Sequence, residues 1–227
     1  INQEDIFQQF EGLMSRLFSK FLNKTDISFE RMTYKFAVEN YGIDKPDLRY
    51  GLKIKEVSNE VKGKGFQIFD NNDFTSCILI EDKSEITRKE IDNITDWVKR
   101  PQIGATGLLW IKHNTDSSIK SSFDKFFSEE DLKHVLDTVS SKPGDIIFIM
   151  SGDKKNTLEQ MGSLRVELAK RFDLIDHNKM CPLWVTDFPL FEWDEEEKRF
   201  FSMHHPFTSP KPEFIDLLES NPGEVIA

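Results

Sequence analysis

The feature that most constrains the fold of this chain is a run of consecutive large apolar residues, 146–150 (IIFIM), which follows a Gly-Asp turn signal. Such a run is far too short to cross a membrane, which needs roughly 20 apolar residues, and it predicts a β-strand of the buried type. Residues 75–80 (TSCILI), 65–69 (GFQIF) and 106–113 (TGLLWIKH) predict further short strands. No longer apolar run occurs in the sequence, so we expect no membrane span.

Helix signals alternate with these strands. Thr87 with Glu90 three residues later forms a capping-box pattern, and Ser128 precedes three acidic residues, so each position predicts the start of a helix. Residues 157–174 carry apolar side chains at helical spacing and predict a long amphipathic helix. Together these elements predict an α+β fold, a two-layer α/β sandwich, over residues 51–172.

The flanking segments differ in character from this middle region. Residues 3–22 predict a long helix, and residues 29–42 predict a turn and a shorter helix. The apolar stripe of the long helix consists of Ile6, Phe7, Phe10, Leu13, Leu17 and Phe21. Residues 182–203 predict two strands joined by an acidic turn. Segments 1–50 and 173–227 therefore predict one host domain with an antiparallel sheet, into which the middle region is inserted.

The charge balance argues against a general affinity for nucleic acid. The sequence has 40 acidic and 30 basic residues, which gives a net charge of -10 and a pI of about 5.1. Such a surface repels phosphate backbones on average, so any contact with nucleic acid has to be local. Lys53, Lys55, Lys62 and Lys64 could form one local basic face, and a solvated helix side is the alternative interpretation.

Motifs for a metal site or a nucleophile are missing from the sequence. There is no HExxH, CxxC or GxSxG pattern, and no phosphate-binding loop with its lysine. Cys77 and Cys181 each lie in an apolar stretch, which predicts two buried thiols in a reducing cytoplasm. Residues 193–198 (WDEEEK) are typical of a solvated turn. We therefore expect no metal site and no catalytic residue within the chain.

Two adjacent histidines, His204 and His205, are the strongest candidates for a binding site. On an extended segment their side chains point to opposite faces, so one ion is rarely bound by both. A histidine beyond a strand can present its imidazole to an anionic ligand in a cleft. The alternative is a structural pair that is bonded to backbone carbonyls. The residues alone leave both interpretations open.

Several phrases of this sequence closely resemble bacterial-type aspartyl-tRNA synthetases. They include residues 3–18 (QEDIFQQFEGLMSRLF), 41–51 (YGIDKPDLRYG), 187–197 (DFPLFEWDEEE) and 203–208 (MHHPFT), and the resemblance spans the chain in order. The middle region, with GATGLLWIK at 104–112, is similar to the GAD domain. The resemblance implies a GAD-like insertion carried by part of an antiparallel class II catalytic domain.

The family joins L-aspartate to tRNA(Asp) in two steps. ATP, assisted by Mg²⁺, first activates the amino acid as aspartyl-adenylate, and the aspartyl group then passes to the tRNA. The resemblance assigns His204 to contact with L-aspartate, and His205 is a second candidate beside it. Asp187 and Glu192 have two possible roles. They either contact the residues that line this pocket, without touching the substrate, or form a pair within the hairpin.

The phrase DKPDLR implies a hinge into the inserted domain. In that hinge Asp44, Lys45 and Arg49 are expected to form local structure. Two alternative functions remain besides that of a synthetase. One is a non-catalytic GAD-type module that contacts tRNA or docks a partner. The other is a subunit of an archaeal tRNA-dependent amidotransferase. The amidotransferase does not account for residues 187–197 and 203–208.

The sequence departs from the family in what it omits. The phosphate-binding arginines of motifs two and three, motif one and the anticodon-binding domain have no counterpart here. Residues 1–50 are accordingly expected to follow motif two, and residues 173–227 to precede motif three. The resemblance implies a cytoplasmic, homodimeric parent enzyme, whereas the chain alone is expected to be a monomeric, inactive fragment that binds neither ATP nor Mg²⁺.

Overall fold

A computed structural model describes residues 2–205 and 207–227, which form two compact units. The terminal unit comprises Ile1–Phe36, Asp47–Arg49 and Asp176–Ala227, and the central unit comprises Ala37–Pro46 and Tyr50–Ile175. The predicted domain boundaries at 50/51 and 172/173 stay a prediction. The assignment of the middle region to an inserted GAD-like domain stays a prediction.

The elements are numbered in chain order. The helices are α1 (Gln3–Leu22), α2 (Tyr34–Tyr41), α3 (Ser58–Val61), α4 (Gln67–Asp70), α5 (Arg88–Val98), α6 (Glu129–Val139), α7 (Lys154–Arg171) and α8 (Leu217–Ser220), with 3-10 turns at Pro212–Phe214 and Pro222–Glu224. The strands are β1 (Glu30–Thr33), β2 (Ile54–Glu56), β3 (Phe74–Ile80), β4 (Leu109–His113), β5 (Ile119–Ser121), β6 (Ile146–Gly152), β7 (Leu183–Thr186), β8 (Phe191–Asp194) and β9 (Arg199–Ser202).

The central unit is built on one antiparallel sheet in the order β2-β3-β6-β4-β5. On one face, Ile78 and Phe148 pack with apolar residues of α5 and α7. On the other face, Cys77 and Ile149 pack with apolar residues of α6. The predicted two-layer sandwich is therefore wrong, because helices cover both faces and the unit has three layers. The reason is that β3 and β6 are buried at both odd and even positions, so each face needs cover.

The predicted helix starts are confirmed at α5 and α6, and both helices begin with a capping box. Thr87 accepts a hydrogen bond from the Glu90 amide, and the Glu90 carboxylate accepts one from the Thr87 amide. Ser128 and Asp131 make the same reciprocal pair at the start of α6. Both boxes satisfy amide groups that a helix start otherwise leaves without partners, so these two helices begin where the sequence places them.

The strand predicted at residues 65–69 is wrong, because this segment forms helix α4. The Asp70 carboxylate accepts hydrogen bonds from the amides of Gly63 (2.7 Å) and Gly65 (2.9 Å), both of which have positive φ. This turn directs Phe69 into the core, where its ring meets Phe123 edge to face at 5.2 Å. The short strand β5 was also missed.

The terminal unit pairs β1 with β7 in parallel, with Glu30 opposite Leu183 and Thr33 opposite Thr186. The antiparallel sheet expected for the flanks holds for the hairpin of β8 and β9, and the parallel pair of β1 and β7 departs from it. Residues 182–203 form three strands instead of the predicted two, and only β8 and β9 form the antiparallel hairpin. The break falls at Asp187, whose φ of 58° is left-handed. No described helix is both long and apolar enough to span a membrane.

Helix α1 is confirmed over the predicted residues, and an Asn2–Asp5 capping box starts it. Its apolar stripe is only partly used. Phe7 is buried against Trp184 at a ring distance of 4.7 Å. The remaining stripe residues are exposed, among them Phe10 at 51% and Phe21 at 68%.

Candidate functional site

The segment around the two histidines is held by the last residues of the chain. The Leu190 amide donates to the Val225 carbonyl (2.8 Å), and the Ala227 amide donates to the Phe188 carbonyl (2.9 Å). The Met203 amide in turn donates to the Leu190 carbonyl (3.0 Å), which fixes the residue before His204. Residues 188–190, 203 and 225–227 thus form one bonded layer that positions the candidate site.

His204 presents its side chain to solvent at the edge of this layer. Its ring meets the Phe188 ring at 4.9 Å and an interplanar angle of 82°, an edge-to-face geometry. Its carbonyl accepts a hydrogen bond from the Ser202 hydroxyl (2.9 Å). Within the part of the chain that the structure describes, the imidazole nitrogens make no hydrogen bond.

His205 is bonded more locally. Its Nδ1 accepts a hydrogen bond from the Phe207 amide at 3.3 Å, and the two rings lie 4.6 Å apart. Its carbonyl accepts from the Thr208 amide at 2.9 Å. The side chain of His205 therefore supports the local turn, and Pro206 lies outside the described residues.

Asp187 has a partner that the sequence did not indicate. Its carboxylate pairs with the Lys211 ammonium and accepts a hydrogen bond from the Thr186 hydroxyl at 3.0 Å. The bond to Lys211 is the main cause that lowers the pKa of Asp187. Glu192 lies on β8, opposite Phe201, and is not the partner that holds Asp187. Lys211 is 24 residues away from Asp187 in a proline-rich stretch, so no spacing pattern marks it.

Two aromatic residues complete the surroundings of His204 and were not singled out from the sequence. The Phe188 ring contacts the ring of Tyr34, at the start of α2, at 5.0 Å. Tyr34, Phe188 and His204 therefore form a continuous row of rings. Rings give such a wall a rigid shape, because they have few rotatable bonds.

A second polar cluster of the terminal unit is centred on Arg31. Its guanidinium bonds to Glu4 (2.8 Å) and Glu11 (3.0 Å) and lies 4.2 Å from the centre of the Phe7 ring. The Trp184 indole also donates to Glu11, at 3.1 Å. These contacts tie α1 to β1 and β7, which is a structural role.

In the predicted hinge, Arg49 bonds locally. Its Nε and Nη2 donate to the two carboxylate oxygens of Asp47 at 2.9 and 2.7 Å. Among the described residues, the side chains of Asp44 and Lys45 make no hydrogen bond or ion pair. A hinge role for Asp44, Lys45 and Arg49 stays a prediction.

The two cysteines differ, and the prediction that both are buried is wrong for one of them. Cys77 lies inside β3 and is fully buried, and burial raises the pKa of its thiol to about 12. Cys181 is partly exposed and lines a surface cavity of about 360 Å³ with Phe18 and Lys179. Of its stretch, KMCPLW, residues 179–182 lie between α7 and β7, and Leu183 and Trp184 belong to β7.

Lys55, Lys62 and Lys64 are not free to act as one basic face, because each side chain has a partner. Lys62 pairs with Asp73 at 2.6 Å, Lys64 pairs with Asp131 at 2.5 Å, and Lys55 donates to the Val139 carbonyl at 2.7 Å. Nor do they form one side of a helix, because Lys55 lies on β2 and Lys62 and Lys64 follow α3. Partners of opposite charge reduce the attraction that such a group offers to phosphates.

The acidic turn at residues 195–198 is exposed and internally paired. Lys198 pairs with Glu195 at 2.6 Å, and Arg199 pairs with Glu197. The Asp194 carboxylate accepts hydrogen bonds from two amides of the turn. Within the described ranges, no group of three or more His, Cys, Asp or Glu side chains is arranged to hold a metal ion.

Comparison with known proteins identifies the class. Residues 1–226 match the family described as tRNA synthetases class II (D, K and N), and the chain belongs to this family. Its relatives include the aspartate–tRNA ligases of Parabacteroides distasonis and Porphyromonas gingivalis, each 46% identical over 230 aligned positions. The aspartate–tRNA ligase of Bacteroides fragilis is 44% identical. The alignments cover the whole chain but only 39% of the length of each relative.

Proposed function

We propose that residues 1–227 are part of an aspartate–tRNA ligase, which activates L-aspartate with ATP and transfers it to tRNA(Asp). The observation that carries this proposal is the similarity to aspartate–tRNA ligases over the whole chain. It is supported by a candidate aspartate contact, His204, which is exposed and packs edge to face on Phe188. A homodimeric state of the ligase is part of the same proposal.

In this proposal, His204 contacts the substrate aspartate. A protonated imidazole donates a charge-assisted hydrogen bond to a carboxylate, which is stronger than a bond between neutral groups. Asparagine presents a neutral amide at the same place, so the imidazole favours aspartate. The edge-to-face contact with Phe188 restricts the motion of the ring, which reduces the entropy lost when the ligand binds.

ATP and Mg²⁺ need residues beyond those described. Among the described residues, no group of three or more His, Cys, Asp or Glu side chains is arranged to hold a cation. The side chains present do not fit these groups, so we derive no step through them. The contribution of this chain is therefore limited to binding and orienting the amino acid, and the chain alone is expected to be inactive.

The test is a calorimetric titration of a non-hydrolysable aspartyl-adenylate analogue into the full-length ligase that contains residues 1–227. His204→Ala should weaken binding by about 1.5–3 kcal/mol, the range for a hydrogen bond to a charged group. His134→Ala, which removes an exposed histidine of α6, is the matched control and should leave the affinity unchanged.

An unchanged affinity of His204→Ala would remove His204 from the aspartate pocket. The chain of residues 1–227 is assayed beside the full-length ligase for aspartate-dependent exchange of pyrophosphate into ATP. We expect exchange only with the full-length ligase. Exchange by the chain alone would overturn its proposed inactivity.

A further inference from the structure

The backbone at Asp187 adopts a conformation that needs support. Its φ of 58° lies in the left-handed region, which non-glycine residues rarely occupy and which Asp and Asn tolerate better than most. Two contacts hold the side chain: the ion pair with Lys211 and the hydrogen bond from the Thr186 hydroxyl. The carboxylate is partly exposed, and loss of Lys211 would remove the cation that it pairs with.

The next residue, Phe188, connects this turn to the candidate site, because its ring contacts His204. The left-handed residue sets the direction in which the chain leaves β7, and so it sets where the Phe188 ring lies. That ring forms the wall against which His204 rests, at 4.9 Å. Lys211 is itself fixed, because its amide donates to the Ile226 carbonyl at 2.9 Å.

We propose that Lys211 and Asp187 form a positioning pair for His204, acting through the ring of Phe188, and thereby set the affinity for L-aspartate. This inference rests on the proposed function for its statement about aspartate. Its structural part, the control of His204 by the ion pair, stands without it. Neither Lys211 nor Asp187 is a catalytic residue, because each acts through the next side chain.

The structural part is tested by nuclear magnetic resonance on residues 1–227. The ring protons of His204 lie beside Phe188, so the ring current of Phe188 shifts their resonances. Phe188→Leu removes this ring current. The His204 resonances of that variant are therefore the reference for a histidine that no longer lies beside the Phe188 ring. Lys211→Met should move the His204 resonances toward that reference, whereas Lys211→Arg, which keeps the ion pair, should retain the wild-type positions.

The matched control is Lys198→Met, which removes a lysine of another ion pair, in the exposed turn of the hairpin. It should leave the His204 resonances unchanged. If Lys211→Met fails to fold, Asp187→Asn decides, because asparagine tolerates the left-handed conformation but loses the ion pair. Wild-type His204 resonances in a folded Lys211→Met or Asp187→Asn variant would overturn the proposal.

The functional part is tested in the full-length ligase. Lys211→Met should raise the KM for L-aspartate on the order of 10-fold, since small misplacements of a binding group cost this much or more. The KM for ATP should stay unchanged, and Lys211→Arg should restore the KM for aspartate. If Lys211 had a purely structural role, Lys211→Met would lower the amount of active enzyme but would leave the KM values for L-aspartate and ATP unchanged.

The two proposals fail in different ways. If His204→Ala leaves the KM for aspartate unchanged, the proposed function of His204 is wrong, whatever the resonances show. If His204→Ala raises that KM and Lys211→Met does not, the positioning pair is wrong and the aspartate pocket stands.

Discussion

The two thiols of this chain show how solvation decides reactivity at the scale of single residues. The thiolate is the form that attacks disulfide reagents, and Cys77, with a pKa of about 12, forms almost none near neutral pH. Cys181 is partly exposed beside a cavity. We therefore expect one thiol of the native chain to react quickly with a disulfide reagent, and the second only after unfolding.

The measurement is the amount of thiol released with time at mildly alkaline pH, with and without denaturant. Cys181→Ser should abolish the fast phase, and Cys77→Ser should leave it unchanged. A fast phase that persists in Cys181→Ser would mean that β3 opens far more readily than its burial indicates.

At the scale of elements, α7 packs closely at Gly162 against Gly42, in the turn that ends α2. A Cβ atom added to Gly162 would lie 2.6 Å from the Gly42 carbonyl oxygen, and Gly42 has a φ of 70°. Gly162→Ala should therefore destabilise the central unit by about 1–3 kcal/mol, the usual cost of overpacking. The preference of alanine for helices, about 1 kcal/mol, offsets part of this.

Urea denaturation of the variant and of wild type measures the difference. Gly107→Ala is the control in the same unit, because no atom lies within 4 Å of its added Cβ. Its free energy of unfolding should change by less than about 0.5 kcal/mol. Equal stabilities of Gly162→Ala and wild type would show that α7 can shift to make room.

Elements that depend on neighbouring residues could be predicted from the sequence. The helices α5 and α6 begin at Thr87 and Ser128 because the capping partners lie three residues away. The buried faces of these helices follow from the helical spacing of their apolar residues. The strands β3 and β6 follow from short continuous apolar runs. At the candidate site, only His204 and His205 could be singled out from the residues themselves, and the role expected of His204 came from the resemblance.

Elements that depend on distant partners could not be predicted. The parallel pairing of β1 with β7 joins residues about 150 positions apart, and no local pattern encodes its direction. Helix α4 replaced the expected strand because Asp70 bonds back to Gly63 and Gly65. Lys211 reaches Asp187 only through the tertiary fold.

At the scale of the whole molecule, the two units differ in how well they bury apolar side chains. The central unit has an apolar cluster on each face of its sheet, with Ile78 and Val135 among the residues that are fully buried. In the terminal unit, α1 exposes Phe10, Leu13 and Phe21 to at least half of their surface. An exposed apolar stripe of this kind is typical of an interaction surface.

From this difference we expect residues 37–175 to fold without the rest of the chain. The apolar residues that form both clusters lie within this range, and so does the Arg165 guanidinium, which is buried and donates to the Leu52 carbonyl at 2.6 Å. A polypeptide of residues 37–175 should give dispersed amide resonances and one cooperative thermal transition. Replacing Ile78 with Asp should abolish that transition, because it places a charge inside the core. A broad, non-cooperative transition in the unaltered polypeptide would contradict the expectation and would make the terminal unit a requirement for the fold of the central one.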